Sequence, residues 1–306
     1  MIADLAVAHS QGDFGVIGPR GCGKSKIVEE LGARLGFTTE TVVLYHDMNS
    51  RDLFQRRRMR DNGDTLWEDS QLVAAAKKGD VCVLDGAEKV HWSALESLQT
   101  LCHHRLLFLP DGSRLVGEEE FGNIQKRTGF DEIVLNSKGI FRIPKSFRLV
   151  LIGDSSSTDR LWLKESIMSL MPFIEMQKLT AEEQCTIIAR SVPSADYKVV
   201  RALVDFVDGL RLSTDAGLRG VASSLSLRKL IHIVKRDSLH PGELRRLVEN
   251  AALAKFLPSV LRMSFYSELE KAAFAADSAA STGKYSLLEA PISCHTHTSH
   301  TDAYIQ

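Results

Sequence analysis

Short apolar runs separated by stretches of helical periodicity dominate the first half of the chain. The run that begins at Asp13 (Asp13-Phe14-Gly15-Val16-Ile17) enters a glycine-rich turn. Beyond the turn Ile27, Val28, Leu31 and Leu35 recur at helical spacing, and Gly36 is placed to end the helix in a left-handed conformation. Thr41-Val42-Val43-Leu44-Tyr45, Val81-Cys82-Val83-Leu84 and residues 147–153 have the makeup of buried strands, and Phe173-Ile174-Glu175-Met176 adds a fifth. Trp92, Leu95, Leu98 and Leu101 share one face of a helix after the third strand. Residues 106–109 and Arg114-Leu115-Val116, joined through Pro110-Asp111-Gly112-Ser113, read as a β-hairpin with an Asp-Gly turn. Strands alternating with amphipathic helices predict an α/β fold, a parallel sheet covered on both faces.

From residue 178 the pattern is helical alone. Thr180 and Glu183 make a capping box that opens a helix through Ile187 and Ile188. Val199, Leu203, Phe206, Val207 and Leu210 define a second helix, and Leu227, Leu230, Ile231 and Val234 a third. Pro241 is placed to open a fourth, through Leu244, Leu247, Ala251 and Ala254. The expected organisation is an α/β core over 1–177, an all-helical unit over 178–275, and a disordered tail over 276–306, where Ser, Ala, Thr and His recur without a period.

Composition narrows the function classes. The 306 residues are 44% hydrophobic and 25% charged, as in ordinary globular proteins. Thirty-eight Lys+Arg against 39 Asp+Glu leave a formal net charge of −1, which argues against an extended nucleic-acid surface. Arg56-Arg57-Arg58 with Arg60 is the local basic candidate, and a solvated loop is the simpler reading of it. No run approaches the ~18 apolar residues of a membrane span. Residues 1–12 lack the features of a signal or transit peptide. An odd number of scattered cysteines (22, 82, 102, 185, 294) speaks for a reducing compartment.

Gly18-Pro19-Arg20-Gly21-Cys22-Gly23-Lys24-Ser25 fits G-x-x-x-x-G-K-[ST] and sits between a strand and a helix. Glycines at this spacing let backbone N–H groups surround a phosphate, and the helix that follows adds its positive end. Lys24 then reaches the β and γ phosphates, while the Ser25 hydroxyl is offered to Mg²⁺. Asp85 ends the third strand, where a carboxylate could hold that magnesium; an Asp at a strand end also serves as a turn former or helix cap. Gly86 follows, where many ATP-hydrolysing proteins carry a glutamate that deprotonates water, and losing such a base costs ~10²–10⁴ in rate. Glu88 could swing toward the site, but a place on the surface of the next helix is the simpler expectation. Cys22 lies beside positive charge and a helix start, which would lower its thiol pKa. Cys294-His295-Thr296-His297-Thr298-Ser299-His300 offers zinc-type ligands with nothing around them, so a disordered tail is preferred. His103-His104 fits a helix C-terminus.

These features together resemble an AAA+ ATPase module. Leu44-Tyr45-His46-Asp47-Met48-Asn49-Ser50-Arg51-Asp52-Leu53, Asn62-Gly63-Asp64-Thr65-Leu66-Trp67, Leu109-Pro110-Asp111-Gly112-Ser113-Arg114-Leu115 and Ser226-Leu227-Arg228-Lys229-Leu230 are similar to the dynein-related (midasin/MoxR-like) branch. The resemblance covers roughly residues 1–265. It implies a three-layer αβα P-loop NTPase core with strand order 5-1-4-3-2 and a helical lid, with ATP and Mg²⁺ bound at their junction. It also implies a homo-oligomeric ring or neighbouring AAA+ modules, an unidentified protein client and a mitochondrial location. Residue by residue, Gly18 to Ser25 become the Walker A loop, Asp85 the Walker-B metal residue, Asp154-Ser155 the sensor-1 position and Arg228 the sensor-2 arginine of the lid. As bare sequence Arg228 is one charge on an amphipathic helix.

Three departures accompany the resemblance. Gly86 stands at the Walker-B glutamate position. Asp154 stands where asparagine is common and brings negative charge toward a triphosphate. Residues 166–175 contain no arginine, which leaves Arg160 and Lys164 as the nearest candidates for a finger worth ~10³–10⁵ in rate. The expected function is ATP binding with hydrolysis in a ring-forming remodelling ATPase; the alternative is a nucleotide-binding structural or regulatory module that hydrolyses poorly. A small P-loop kinase is disfavoured by the long helical second half.

Overall fold

The computed structural model describes residues 1–59, 63–155 and 162–272. Its strands are β1 (Phe14–Gly18), β2 (Thr39–Val43), β3 (Gln55–Met59), β4 (Thr65–Asp69), β5 (Val81–Asp85), β6 (Leu106–Phe108), β7 (Arg114–Gly117), β8 (Ile140–Ile143), β9 (Arg148–Asp154) and β10 (Phe173–Glu175). Five of them form one sheet in the order β10-β1-β9-β5-β2, and every pairing in it is parallel. Counted along the chain within that sheet, the order is 5-1-4-3-2, as the resemblance implies. The expected segments fall within two residues of the observed strands.

The central strands β1, β5 and β9 are buried on both faces, which is why they read as unbroken apolar runs. Side chains alternate with period two. Val81, Val83, Val150 and Ile152 pack with Phe14, Val16, Val28 and Leu31 under the helices Ile2–Gln11 and Lys24–Leu35. Cys82, Leu84, Leu149 and Leu151 join Leu44, Leu72, Leu95, Leu98 and Leu101 on the other face. A further cluster draws only on residues 185–269 and holds the C-terminal helices together. The Thr180–Glu183 capping box opens the first of these, Ala181–Ser191: the Thr180 N–H donates to Glu183 Oε2 at 2.8 Å, and Glu183 N–H donates to Thr180 Oγ1 at 3.3 Å.

Several expectations need correction. The helix after β5 is two short helices, Trp92–Glu96 and Gln99–His104, although Leu95, Leu98 and Leu101 are all buried. Ser97 explains the break, since its hydroxyl donates to the Ala94 carbonyl at 2.6 Å and offers the backbone a local alternative. Arg56, Arg57 and Arg58 lie in a strand rather than a loop, because β3 pairs antiparallel with β4. Their side chains are exposed, Arg57 resting over the Trp67 ring at 4.8 Å and Arg58 pairing with Glu68 at 3.4 Å. Pro241 occupies a turn with Gly242 at φ +94°, and the helix begins at Leu244. The first helix, strand β8 and the helices Ala216–Ser224 and Ser259–Lys271 had no counterpart in the periodicity reading. Arg60, Arg160, the tail 276–306 and the Cys294–His300 segment lie outside the described residues. Among the described residues no helix is long and apolar enough to cross a membrane.

Two polar clamps fix the architecture around the sheet. Buried Gln55 donates to Asp69 Oδ1 at 2.8 Å and to Asp111 Oδ2 at 2.9 Å, and accepts from the Asp111 N–H at 3.2 Å. It thereby ties the β3–β4 hairpin to the Asp-Gly turn between β6 and β7. Asp13, ahead of β1, accepts two hydrogen bonds from the Arg105 guanidinium, at 2.6 and 2.8 Å, and one from the Leu149 N–H at 2.8 Å. The side chain of Asp13 is 4% exposed, so removing Arg105 strands a buried carboxylate. Arg105→Ala is expected to cost about 3–5 kcal/mol in urea denaturation. Loss of both partners (Asp13→Asn with Arg105→Ala) should cost less than the two single changes added together.

Candidate phosphate-binding site

The site forms where β1, β5 and β9 end side by side. In the sheet register Gly18 lies level with Asp154, and Asp85 with Ile152. Parallel strands present their carboxyl ends on one edge, and the reversal of strand order beside β1 opens a crevice there. Out of β1 the chain turns through Gly21 (φ +80°) and Gly23 (φ +94°), conformations that side-chain-bearing residues rarely adopt, and enters the helix Lys24–Leu35. The first N–H groups of that helix have no intrahelical partners and carry the positive end of its dipole. Lys24 Nζ donates to the carbonyls of Gly18 and Pro19, at 2.8 and 2.9 Å, which folds the ammonium back over its own loop.

Ser25 Oγ donates to Asp85 Oδ2 at 2.6 Å, across sixty positions of sequence. Asp154 closes the other side. Its carboxylate is buried and takes a 2.6 Å ion pair from Arg20 Nε, so the negative charge that departs from the family pattern is compensated from within the loop. Cys22 is buried, and burial pushes its thiol pKa up, outweighing the Lys24 charge that pulls it down. This reverses the activated-thiol expectation.

Gly86 adopts φ +99° and donates its N–H to the Ile152 carbonyl at 3.0 Å. The chain then makes one turn of 3₁₀ helix, Ala87–Lys89, that brings Glu88 to the end of β9, where its Oε2 accepts from the Asp154 N–H at 3.1 Å. Glu88 is therefore half-buried at the site rather than on an outer helix surface. Positive φ after a strand cannot be read from residue types alone, although a glycine directly following Asp85 was its available signal.

A cleft of about 500 Å³ lies over the loop, between Pro19, Arg20 and Cys22 on one side and Lys178, Arg211 and Ser226 on the other. The C-terminal helices come close here: a Cβ on Gly21 would stand 3.8 Å from Ser226 Cβ. Arg228 is exposed and is not among the residues lining the cleft. Arg211 and Lys178 are, and the sequence reading passed over both. Arg211 pairs with Asp208 at 2.7 Å, and burial together with the Arg211 charge lowers the Lys178 pKa. Lys164 Nζ sits 3.5 Å from the centre of the Trp92 ring. His103 lies in the last turn of its helix and contacts the Ser169 carbonyl at 3.2 Å.

A parallel five-stranded sheet carrying this loop between β1 and a helix defines a P-loop protein of the αβα class. The chain belongs to the dynein-related subfamily of AAA domains, which it matches over residues 13–171. It is 34% identical over 277 residues to von Willebrand factor A domain-containing protein 8 of Mus musculus, covering 89% of this chain and 14% of that protein. It is 30% identical over 131 residues to Protein NorQ of Paracoccus denitrificans (strain Pd 1222), covering 43% of this chain and 46% of NorQ. Protein CbbQ of Hydrogenophilus thermoluteolus is 36% identical over 88 residues, 29% of this chain and 33% of CbbQ. The chain thus spans less than half the length of each of these relatives.

The left-handed backbone at Gly86 decides what can stand there. Gly86→Glu is expected to lower stability by about 1–2 kcal/mol, because a side chain at positive φ is strained. It should not speed any ATP turnover, since the backbone would have to leave its bond to Ile152. A chemical denaturation curve and a steady-state phosphate-release assay on the variant check both halves.

Proposed function

We propose that this AAA-family domain binds ATP with Mg²⁺ at the mouth of β1, β5 and β9 and hydrolyses it as one module of a ring-forming remodelling ATPase. The observation that carries the reading is the 2.6 Å contact between Ser25 Oγ and Asp85 Oδ2 directly beside the Lys24 loop. A hydroxyl and a carboxylate brought together there are hard oxygen donors, the chemistry Mg²⁺ prefers, and one or two such side chains suffice because phosphates and waters complete its shell. Gly18, Pro19, Arg20, Gly21, Cys22 and Gly23 would surround the phosphates, and Lys24 would leave its carbonyls to pair with them. Asp154, with Arg20, would take the sensor-1 place.

In this reading residues 1–177 are the nucleotide-binding core and 178–275 a lid. The separate packing of the C-terminal cluster and the cleft between the two sets of residues support that division. Arg228 would serve as the lid arginine; it follows the cleft-lining Leu227 by one residue, so a modest lid rotation could carry it inward. The oligomerisation typical of the family supports ring assembly, and the protein client and the mitochondrial location rest on the resemblance alone. The left-handed Gly86 favours a second reading, in which the chain holds ATP as a structural or regulatory module with little turnover.

Lys24→Ala should abolish binding of a fluorescent ATP analogue while leaving the folded state intact by circular dichroism; equal affinity in wild type and variant would remove the phosphate-loop assignment. Native mass measurement of wild type should show a larger assembly with ATP and Mg²⁺ than without, and an unchanged monomer would count against the ring.

A further inference from the structure

Three carboxylates meet at the ends of β5 and β9, and each has a different occupation. Asp85 receives the Ser25 hydroxyl. Asp154 receives Arg20. Among the described residues, Glu88 accepts one hydrogen bond, from the Asp154 N–H on Oε2 at 3.1 Å, and its Oε1 has no hydrogen-bond partner. The route that brings it there is built into the chain. Gly86 turns left-handed directly after Asp85 and is pinned to β9 through Ile152, and the single 3₁₀ turn that follows delivers the side chain two residues further on to the end of β9.

We infer that Glu88 is the base that activates the attacking water, replacing a glutamate that the left-handed backbone at position 86 excludes. The inference rests on the proposed ATP site. Glu88 Oε1 takes a proton from water as the water oxygen forms its bond to the γ-phosphorus. The bond between that phosphorus and the β–γ bridging oxygen breaks with its electron pair, leaving ADP and inorganic phosphate, and the proton passes from Glu88 to solvent. The Asp154 N–H holds the other carboxylate oxygen and so fixes the direction of Oε1. Arg20 keeps the Asp154 carboxylate from competing as an acceptor for the same water. Neither contact depends on residue 86 having a side chain.

The opposing view is that Glu88 is a staple, joining the 3₁₀ turn to β9 and doing nothing else. Glutamine separates the two, because its amide oxygen can still accept from the Asp154 N–H but cannot take a proton from water. Wild type, Glu88→Gln and Glu88→Ala are therefore compared for binding of a fluorescent ATP analogue and for steady-state phosphate release with ATP and Mg²⁺. The assignment expects Glu88→Gln to bind the analogue as wild type does and to lose ~10²–10⁴-fold in turnover, as severely as Glu88→Ala. Glu88→Gln turning over at the wild-type rate, with only Glu88→Ala impaired, would establish the staple and overturn the assignment. Wild type that binds the analogue but releases no phosphate overturns it too, while leaving the binding site standing. Failure of wild type to bind at all would instead remove the ATP site on which the inference depends. Thermal unfolding of both variants identifies a loss of turnover that comes from misfolding, and Glu88→Asp then supplies the test: it keeps the carboxylate, so it should retain more turnover than any neutral replacement.

Discussion

Parallel pairing of β9 with both β1 and β5 is the constraint on which the site depends. A one-residue slip in a strand would send its side chains to the opposite faces. The observed register instead sets Gly18 against Asp154 and Asp85 against Ile152, so the loop, Asp85 and the buried Asp154 arrive at one edge together. That register is held by burial. Valines and isoleucine of β5 and β9 pack on one face and leucines on the other, and a slip would exchange the two sets and leave both cores badly filled. The same packing lets Gly86 bond to Ile152, which is what aims the residues after Asp85.

Much of this arrangement was legible because it follows from local chemistry. The glycine spacing from Gly18 to Lys24 specifies a loop that main-chain amides can line, and the apolar runs specify strands buried on both sides. The less legible parts are those that long-range contacts decide. Arg56 to Arg58 read as a solvated loop because charge is what the sequence displays, yet pairing of β3 with β4 makes the segment a strand while its side chains stay exposed. The single helix expected from Trp92 to Leu101 is interrupted by one serine hydroxyl, although the leucine spacing still reports the buried face. Sequence alone puts Glu88 on an outer surface, because helical periodicity carries no information about a left-handed residue two positions earlier. Cys22 departs from its sequence expectation for a related reason: proximity to charge is visible in sequence, whereas burial, which dominates its thiol, is not.

The Gln55 clamp couples two hairpins that lie outside the five-stranded sheet. Lys77 holds Asp69 at 2.6 Å, Asp69 and Asp111 both accept from Gln55, and Asp111 in turn accepts from the Ser113 N–H at 2.8 Å. A buried amide with its donors and acceptor used is worth most as a positioning device, since a half-satisfied one costs more than an apolar replacement. The Asp111-Gly112 turn is therefore more than a reversal between β6 and β7; it is the point at which two hairpins are fixed to each other. Asn49 and Asp52, which form a reciprocal capping box at the helix Ser50–Phe54, set the chain direction into β3 and so into the same clamp.

Charge balance in the cleft explains how an acidic residue can stand beside a phosphate loop. Asp154 taken alone would repel a triphosphate, and in a site of reduced dielectric that repulsion would be several-fold stronger than in water. Its pairing with Arg20 converts the two into a neutral, oriented unit, and Asp208 does the same for Arg211 on the opposite wall. Such pairing has a second effect. A carboxylate partner holds each guanidinium in a fixed direction before any anion arrives, so less side-chain entropy is lost when one does. Lys24 follows the same logic with neutral partners, parked on the Gly18 and Pro19 carbonyls rather than free in solvent. A polyanion entering the cleft would thus meet cations already held by carbonyls and carboxylates, and would compete with those partners rather than with bulk water. The affinity such a site reaches is set by that exchange, not by the number of positive charges around it.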